Sequence, residues 1–290
     1  MKINWIFYVM VLPFLIFFTI FSVLPVFKAI WYSFTDYNIL QDANFIGLKN
    51  YAELFLHDTI FIKAIQNTFV IAVFVGPIGY LLSFLIAWLI NELPHWLGTL
   101  VTVIFYVPSM SGGAMTIFAL LFANDSTGLV NGQLLAWGLI DEPVLWLSSE
   151  ATIMPLCIIV SLWMSLGVGF LSFVAGVKNI PEDQYEAAAI DGIRNRWQEL
   201  WFITLPNMTP QLLFGAVMSI TGSLAVGGVM DSLVGFPSPN YASHTIVNHL
   251  NDYGFIRLEM GRASAIAVIL FVIMVVSNLL VQKLLRKVGT

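Results

Sequence analysis

Residues 68–90 read TFVIAVFVGPIGYLLSFLIAWLI, a run without a single Asp, Glu, Lys, Arg or His. A helix advances about 1.5 Å per residue, so about 20 apolar residues are needed to cross the hydrocarbon core of a bilayer. The run is long enough for this, and it therefore predicts a membrane-spanning helix. Gly76 and Pro77, near its middle, predict an interruption of that helix.

Five further apolar runs predict five more spans. They also lack acidic and basic residues, and they lie at 5–27, 99–123, 151–175, 210–230 and 263–282. A chain of 290 residues cannot surround six such helices with protein. The composition agrees, because only 10% of the residues are charged, whereas about a quarter are charged in a soluble domain. We therefore predict an all-α integral membrane protein with six transmembrane helices, surrounded by lipid.

The ends of the chain and its loops predict an orientation in the membrane. The first run, 5–27, exceeds the hydrophobic region of a signal peptide, about 7–15 residues, and no small-x-small cleavage site follows it. We interpret it as a retained helix. Segment 124–150 has acidic residues but no basic one, which makes it easy to translocate. Both termini and segment 176–209 are then predicted to be cytoplasmic, with 28–67 and 231–262 outside.

The organisation predicted for residues 1–290 is a single transmembrane domain. It comprises an N-terminal helix and outer loop, 1–67, and a five-helix core, 68–290. In the outer loop, Tyr51, Leu54 and Phe55 recur at helical spacing and predict a short amphipathic helix on the membrane. Residues 231–262 are rich in Gly, Pro, Ser and Asn, and they predict an irregular outer loop.

A long polar segment, 176–209, separates the fourth and fifth spans and reads GVKNIPEDQYEAAAIDGIRNRWQELWFITLPNMT. Pro181 with Glu182 and Asp183 predicts the start of a helix, since proline fits the first turn and acidic residues favour the helix dipole there. Gly192 predicts its end or a sharp turn. The small alanine face of this helix would let another protein approach closely.

A second short helix is predicted after Gly192. Trp197, Leu200 and Trp201 share one face, and Pro206 is expected to end the helix. The periodicity alone leaves two interpretations open. The helix pair could be a docking surface, or it could merely join two spans along the membrane surface.

The motif Glu186-Ala187-Ala188, followed by Gly192 and Ile203-x-Leu205-Pro206, resembles the EAA loop of binding-protein-dependent ABC importer permeases. Here the spacer between Gly192 and Ile203 has ten residues, one more than the usual form, and we expect a longer turn after Gly192. The resemblance implies a type I ABC importer permease fold whose coupling helix docks into a groove on a cytoplasmic ATPase. It assigns this contact to Glu186, Ala187, Ala188, Asp191, Gly192, Leu205 and Pro206.

Other motifs extend the resemblance to carbohydrate-importer permeases along nearly the whole chain. They are SFTD at 33–36, FIGLKNY at 45–51, YVPS at 106–109, GLVN at 128–131, GFP at 235–237 and GRASA at 261–265. The opening is similar to the larger, first permease of maltose-type pairs. The resemblance implies a bacterial or archaeal cell membrane. It also implies three kinds of partner: a second homologous permease, two cytoplasmic ATP-binding subunits, and an extracellular or periplasmic solute-binding protein.

The solute path is predicted where glycine and proline interrupt the spans, at 76–77, 108–113, 167–169 and 222–228. Irregular backbone is tolerated at membrane depth only beside protein or a cavity. Hydroxyl and aromatic side chains near these breaks would suit a sugar; they are Phe105, Tyr106, Ser109, Ser165, Ser219, Thr221 and Ser223. Small and hydroxyl residues also pack ordinarily between membrane helices, and that alternative stays open.

Other classes of protein agree less well with the sequence. A secondary transporter usually has ionisable residues within its spans and often internal repeats, and both are missing. The four histidines lie outside the spans without ligand-like spacing, and no phosphate-binding G-x-x-x-x-G-K-[ST] loop is present. We therefore predict no catalytic residue, metal or cofactor, and the net charge of −5 gives no indication of nucleic acid. An ABC permease for a non-sugar solute remains the alternative.

Overall fold

The structure, a computed structural model, describes residues 5–288; for residues 6, 7 and 285–288 it describes the backbone alone. Both predicted cytoplasmic termini, residues 1–4 and 289–290, lie outside the described residues. The α-helices are α1 Trp5–Phe18, α2 Leu24–Tyr32, α3 Lys49–Leu56, α4 Thr59–Asn91, α5 His95–Met110, α6 Ala114–Leu121, α7 Leu129–Ala136, α8 Glu150–Met164, α9 Val168–Lys178, α10 Glu182–Ile190, α11 Arg196–Glu199, α12 Leu205–Asn207, α13 Thr209–Leu224, α14 Gly228–Val234, α15 Ile246–Asn251 and α16 Met260–Val288. Wider π-helical turns occupy Thr19–Val23, Leu200–Thr204 and Asp252–Ile256, and a 3₁₀ turn occupies Pro239–Tyr241.

The apolar helices match the predicted spans. Three helical runs can cross a membrane without a sharp bend: Tyr8–Tyr32, Thr59–Asn91 and Met260–Leu284. Three more runs are pairs of helices that meet at a bend, of 91° between α5 and α6, 41° between α8 and α9, and 47° between α13 and α14. With each bent pair taken as one span, the helices give the six spans that the sequence predicts.

Some of the predicted interruptions are breaks and others are not. The bends lie at 111–113, 165–167 and 225–227, where glycines predicted them. The interruptions predicted at Gly76-Pro77 and at Gly222 are wrong, because α4 and α13 continue through them. A proline costs a long helix one hydrogen bond, which a membrane helix tolerates when neighbouring polar groups compensate. The carbonyl that Pro77 leaves without a helical donor is that of Val73, and α4 continues nevertheless. The Ser219 hydroxyl donates to the nearby Gly76 carbonyl over 2.7 Å and ties α13 to α4 at this point.

The prediction that Pro206 ends the second cytoplasmic helix is wrong, because the helical run continues to Asn207. The Leu205 N–H bonds to the Leu200 carbonyl, five residues back instead of four. This wider turn relieves the clash between a proline ring and the carbonyl four residues before it. It also contains one residue more than an α turn. The longer turn expected after Gly192 stays a prediction.

Both predicted outer loops contain more helix than expected. The first loop covers 33–58 instead of 28–67, since α2 continues to Tyr32 and α4 begins at Thr59; it contains the predicted amphipathic helix as α3. The region 231–262 contains α15 and the turn Asp252–Ile256, where an irregular loop was predicted. An apolar run marks the thickness of the hydrocarbon layer, whereas a helix can continue into water beyond it.

Contacts within the chain define two compact units. The first consists of residues up to Ile62 with Ile246–Val272, and it buries Leu54 and Phe61. The second consists of Lys63–Thr245 with the residues from Ile273 onward. It contains two apolar clusters, the Phe173 cluster (with Phe84, Ala87, Ile90, Phe170, Leu200 and Met208) and the Ile153 cluster (with Ile71, Leu156, Met230 and Leu233). The single domain predicted for 1–290 stays a prediction.

Candidate functional site

A cavity of about 380 Å³ lies in the second unit, beside the bends between α8 and α9 and between α13 and α14. Gly167 and Gly227, at the two bends, line it, and α4 contributes a third side. Broken helices are tolerated at membrane depth where their backbone faces protein or a cavity. The arrangement is therefore the one expected for a solute site among membrane helices.

Five serines contribute side chains to the lining of this cavity. The lining serines are Ser83, Ser161, Ser165, Ser219 and Ser223. Three of them donate to backbone carbonyls: Ser165 to Leu162 over 2.6 Å, Ser219 to Gly76 over 2.7 Å and Ser223 to Ile220 over 3.0 Å. A hydroxyl that donates in this way keeps its lone pairs as acceptors.

Ser161 differs from the other serines of the cavity. Its side chain is buried, and its Oγ has no hydrogen-bond partner among the described residues. A buried hydroxyl without a partner costs free energy, about 1–3 kcal/mol, which a bound hydrogen-bonding group can offset. The Ser161 Oγ is closed off from the open space of the cavity, so a solute hydroxyl reaches it only when the surrounding helices shift.

The remaining wall of the cavity is apolar and neutral. Tyr80, Phe170 and Phe173 contribute aromatic surface, and the rings of Tyr80 and Phe173 pack edge to face with centroids 5.4 Å apart. None of the described residues that line the cavity is an Asp, Glu, Lys, Arg or His. A charged solute would remain uncompensated there, at a cost of several kcal/mol. The cavity suits a neutral solute with hydroxyl groups and an apolar face.

The predicted path residues divide into two sets. Ser165, Ser219 and Ser223 line the cavity. The other predicted residues, which do not line it, are Phe105, Tyr106, Ser109 and Thr221. The Ser109 hydroxyl donates to the Tyr106 carbonyl over 2.7 Å, and Thr221 Oγ1 accepts a 3.3 Å hydrogen bond from Asn278. The Ser109 bond lies within α5, whereas the Thr221 bond joins α13 to α16; a role of these four residues in the solute path stays a prediction.

The polar lining residues missed from the sequence are Tyr80, Ser83 and Ser161, and the aromatic wall of Phe170 and Phe173 was missed as well. Helical spacing could have found two of them. Ser161 lies four residues before Ser165 on α8, and residues four apart share a helix face. In the same way, Tyr80 lies four residues after Gly76 on α4. Both lie one helical turn away from the predicted breaks and not beside them.

The first half of the polar segment is helix α10, which begins after Pro181 and ends before Gly192 as predicted. Gly192 has a φ of +95°, in the left-handed region that favours glycine. The Ile193 N–H bonds to the Ala188 carbonyl over 3.0 Å and closes the end of the helix. Gly192 thus sets the direction in which the chain leaves α10.

The exposed face of α10 differs from the one predicted. Ala188 is buried against its own chain, so it does not belong to the exposed alanine surface. Glu186, Ala187 and Ala189 are exposed, and the Ile190 side chain is 86% exposed. One carboxylate, two small residues and a free isoleucine side chain thus make a surface fit for a protein contact.

The second half of the segment is fixed to α10 and to the interior. The Tyr185 and Thr204 hydroxyls lie 3.1 Å apart, and Asn207 donates to the Gln184 side chain over 2.7 Å. Leu200 and Met208 are buried in the Phe173 cluster, with Leu205 packed against it and Pro206 exposed. The Phe173 cluster also includes side chains that line the cavity, so the cytoplasmic segment and the cavity share one core.

A second cavity, of about 480 Å³, lies in the first unit among ionisable residues. Asp58 accepts hydrogen bonds there from the Phe61 N–H at 2.9 Å and the Tyr253 hydroxyl at 3.1 Å, and it pairs with His249 at 3.0 Å. Burial raises the pKa of Asp58, but the His249, Phe61 and Tyr253 hydrogen bonds outweigh it and lower the pKa to about 2. The cluster attaches the start of α4 to the turn Asp252–Ile256. Its arginines are engaged too, Arg257 with Asp252 and Arg262 with Glu53.

Within residues 5–288, no three His, Cys, Asp or Glu side chains come together in a way that could hold a metal ion. The fold and the cavity define a class: a multi-pass helical membrane protein with a neutral cavity at its helix bends. Residues 79–290 match the family described as the inner membrane component of binding-protein-dependent transport systems, and the chain belongs to this family. The family is the permease component of these systems, not their ATPase.

Known proteins extend the likeness over the whole chain. The arabinooligosaccharides transport permease AraP of Bacillus subtilis (strain 168) is 30% identical over 284 residues, 96% of this chain and 87% of AraP. A bacterial ABC transporter that imports the acidic polysaccharide alginate has a chain with a TM-score of 0.81 at 27% identity, over 100% of this chain and 98% of that one. A bacterial alginate ABC transporter in complex with a periplasmic protein bound to an alginate pentasaccharide matches with the same score and identity, over 100% and 96% of the two chains.

Proposed function

We propose that this chain is one permease subunit of an ATP-driven importer and lines the path of a sugar or oligosaccharide. The observation that carries the proposal is the neutral, serine-lined cavity at the helix bends of a chain from this permease family. A second homologous permease completes the path, and an external binding protein delivers the solute. The chain forms a single permease domain in a bacterial or archaeal cell membrane, with both termini in the cytoplasm.

The chemistry of the cavity supports a sugar as the solute. Sugars present many hydroxyl groups and an apolar ring face, which the serines and the aromatic side chains of the cavity complement. A relative and two structural neighbours are named for arabinooligosaccharides and for alginate. The binding protein in one neighbour supports an external partner of the same kind here.

The solute is proposed to be neutral, unlike alginate. No basic side chain among the described lining residues could pair with a uronate carboxylate. Such a solute would lose its hydration without gaining an ion pair. Neutral oligosaccharides avoid this cost, and so do neutral solutes other than sugars, which keeps the non-sugar importer as an alternative outcome.

The cytoplasmic segment is proposed to contact the ATP-binding subunits. Glu186 stands on the exposed face of α10 beside Ala187 and Ile190. A carboxylate that becomes partly buried in an interface interacts more strongly with a basic partner than an exposed one does. Asp191 and Gly192 end α10, and Leu205 and Pro206 close the segment. ATP hydrolysis then takes place in the partner subunits, and α10 transmits their motion to the spans.

The test is ATP hydrolysis by the importer assembled from this chain, its second permease, the ATP-binding subunits and the binding protein. Neutral arabino- and malto-oligosaccharides are compared with alginate oligosaccharides as stimulating solutes. We expect stimulation by at least one neutral oligosaccharide and none by the acidic series. Stimulation by alginate alone, or by no sugar, would overturn the proposed substrate class.

Cavity variants locate the solute site in the same assay. Ser161→Ala and Ser219→Ala should raise the solute concentration needed for half-maximal stimulation about 5- to 50-fold, because each loses one hydrogen bond. Ser277→Ala, in the last span and outside the cavity lining, is the matched control and should leave it unchanged. If Tyr106→Ala and Thr221→Ala have the larger effects, the solute binds elsewhere along the spans.

A further inference from the structure

We propose that Arg196 and Trp197 form a strut that carries the motion of the cytoplasmic segment to α4, and thereby to the cavity. The inference rests on the proposed function, since it concerns how ATP-driven motion reaches the solute site. It assigns a positioning role to residues outside the EAA-like motif. The strut consists of Arg196 and Trp197 at the start of α11 with Trp88 and Glu92 at the end of α4.

Two contacts join these helix ends. Arg196 forms an ion pair with Glu92 at 2.8 Å and a second one with Glu199 at 2.7 Å. The Trp88 and Trp197 rings lie beside this bridge, with centroids 5.6 Å apart and planes tilted by 46°. Glu199, in the same short helix α11, binds Nη1 of the Arg196 guanidinium, and Nη2 of the same group binds Glu92. An arginine between two carboxylates has a more defined direction than a single exposed pair.

The strut joins the cytoplasmic segment to α4, a helix that lines the cavity but does not adjoin this segment along the chain. Tyr80 and Ser83 line the cavity on α4, and Tyr80 is about 12 Å along the helix from Trp88. Between them, Phe84 and Ala87 are buried in the Phe173 cluster, which also contains Leu200 of the cytoplasmic segment. The end of α4 is thus held both by buried contacts and by the strut. Because Arg196 is 61% exposed, the pair contributes little to folding. Its loss should therefore weaken coupling and leave assembly intact.

The experiment measures coupling without a solute. Cys157→Ala removes the native thiol, and Gly222→Cys places a reporter in the cavity lining, where an added Cβ meets no atom within 4 Å. The assembled importer is labelled with N-ethylmaleimide, with and without ATP and vanadate. We expect ATP and vanadate to change the labelling rate at least 5-fold in the parent protein. Arg196→Glu and Glu92→Arg should each reduce this change below 2-fold, with unchanged recovery of the ATP-binding subunits.

Charge reversal and two controls make the test specific. The double variant Arg196→Glu with Glu92→Arg restores the ion pair with the charges exchanged. It is made in a Glu199→Gln background, because Glu199 would repel a glutamate at position 196. We expect it to recover more than half of the labelling change. Glu199→Gln alone keeps the bridge to Glu92 but removes one of the two carboxylates that orient Arg196, so it should keep more than half of the parent's labelling change. Arg194→Glu makes the same charge change at an exposed site without an ion pair in the described part of the chain, and it should have no effect.

The outcomes separate the strut from the proposed function. A parent protein without any response to ATP and vanadate contradicts the ATP-driven importer itself, and the strut with it. A parent that responds, with single variants that respond equally, overturns the strut alone. The strut is also overturned if the single variants lose the labelling response and the double variant does not recover it. The loss would then not be due to the broken pair of Arg196 and Glu92.

Discussion

Gly192 turns the chain at the end of α10 and sets the direction of the segment that follows. Its φ of +95° confirms the sharp turn expected at the end of α10. An added Cβ would meet no atom within 4 Å, so the cost of a substitution lies in the backbone alone. A residue with a Cβ adopts such a conformation at a cost of about 1–2 kcal/mol, and a β-branched one at more.

We expect Gly192→Val to lose most of the ATP-binding subunits that co-purify with the permease pair, because the chain leaves α10 in another direction. Gly192→Asn is the control, since asparagine tolerates the left-handed region best among the other residues, and it should retain most of them. Glu186→Lys should cause the same loss of ATP-binding subunits as Gly192→Val, because the lysine would repel the basic group proposed to pair with Glu186. Full recovery of the ATP-binding subunits with Val and Lys would show that the segment only joins two spans.

The lowered pKa of Asp58 makes the stability of the fold depend on pH. Its folded pKa, about 2, lies below the ordinary value of 3.8. A carboxyl with a lowered folded pKa stabilises the fold above its unfolded pKa, and that stabilisation is lost as the pH falls through the folded value. The contribution of Asp58 is therefore present above about pH 4 and disappears towards pH 2.

Asp58→Asn should lower the thermal midpoint at pH 7 by the equivalent of about 1–2 kcal/mol, after allowance for solvent screening. The difference between variant and parent should shrink between pH 4 and pH 2.5, measured in nanodiscs. Asp42→Asn, at an exposed position of the same loop, serves as the control. A difference that stays constant over this range would contradict the role given to the Asp58 carboxylate.

Individual site residues were harder to predict than the breaks beside them. Ser165, Ser219 and Ser223 line the cavity, as their positions near glycines suggested. Phe105 and Tyr106 do not, because one span contains many residues near a break and only some face inward. Composition marks the depth of a residue in a span, but the direction of its side chain depends on how the helices pack.

At the scale of helices, apolar runs predicted all six spans, and glycines predicted the three bends. Proline was the less reliable signal. Pro77 and Pro108, at which interruptions were predicted, lie inside helices that continue. The loss of one hydrogen bond does not break a helix whose neighbours hold it on both sides. The length of α4 was also underestimated, since its first turns lie beyond the apolar run.

The crossing of α9 and α13 depends on the absence of a side chain at Gly215. A Cβ there would lie 2.2 Å from the Phe173 ring, which is buried. We expect Gly215→Ala to destabilise the protein by about 1–3 kcal/mol through overpacking. Phe173→Leu should recover part of the thermal midpoint in the double variant. Gly222→Ala, on the same helix with open space around it, should be neutral. Equal effects at Gly215 and Gly222 would mean that helix propensity, not the crossing, is responsible.

For the whole molecule, the orientation in the membrane remains a prediction from charge. In a Cys157→Ala background, single cysteines at the exposed positions Asp42 and Glu142 should react with an impermeant thiol reagent in intact cells. A cysteine at the exposed position Arg194 should react only after the membrane is opened. The reverse pattern would place the cytoplasmic segment and the proposed ATPase contact on the outside.

The central claim concerns the direction and the energy source of transport, and uptake into proteoliposomes tests it most directly. The vesicles contain the complete importer, with the binding protein outside and ATP or a non-hydrolysable analogue inside. The solute is the neutral oligosaccharide that best stimulates ATP hydrolysis. With ATP, but not with the analogue, we expect it to accumulate inside the vesicles above its external concentration. The Ser161→Ala importer should accumulate less of it. Accumulation with the analogue, or equal uptake of alginate oligosaccharides, would contradict an ATP-driven importer with a neutral sugar path through this chain.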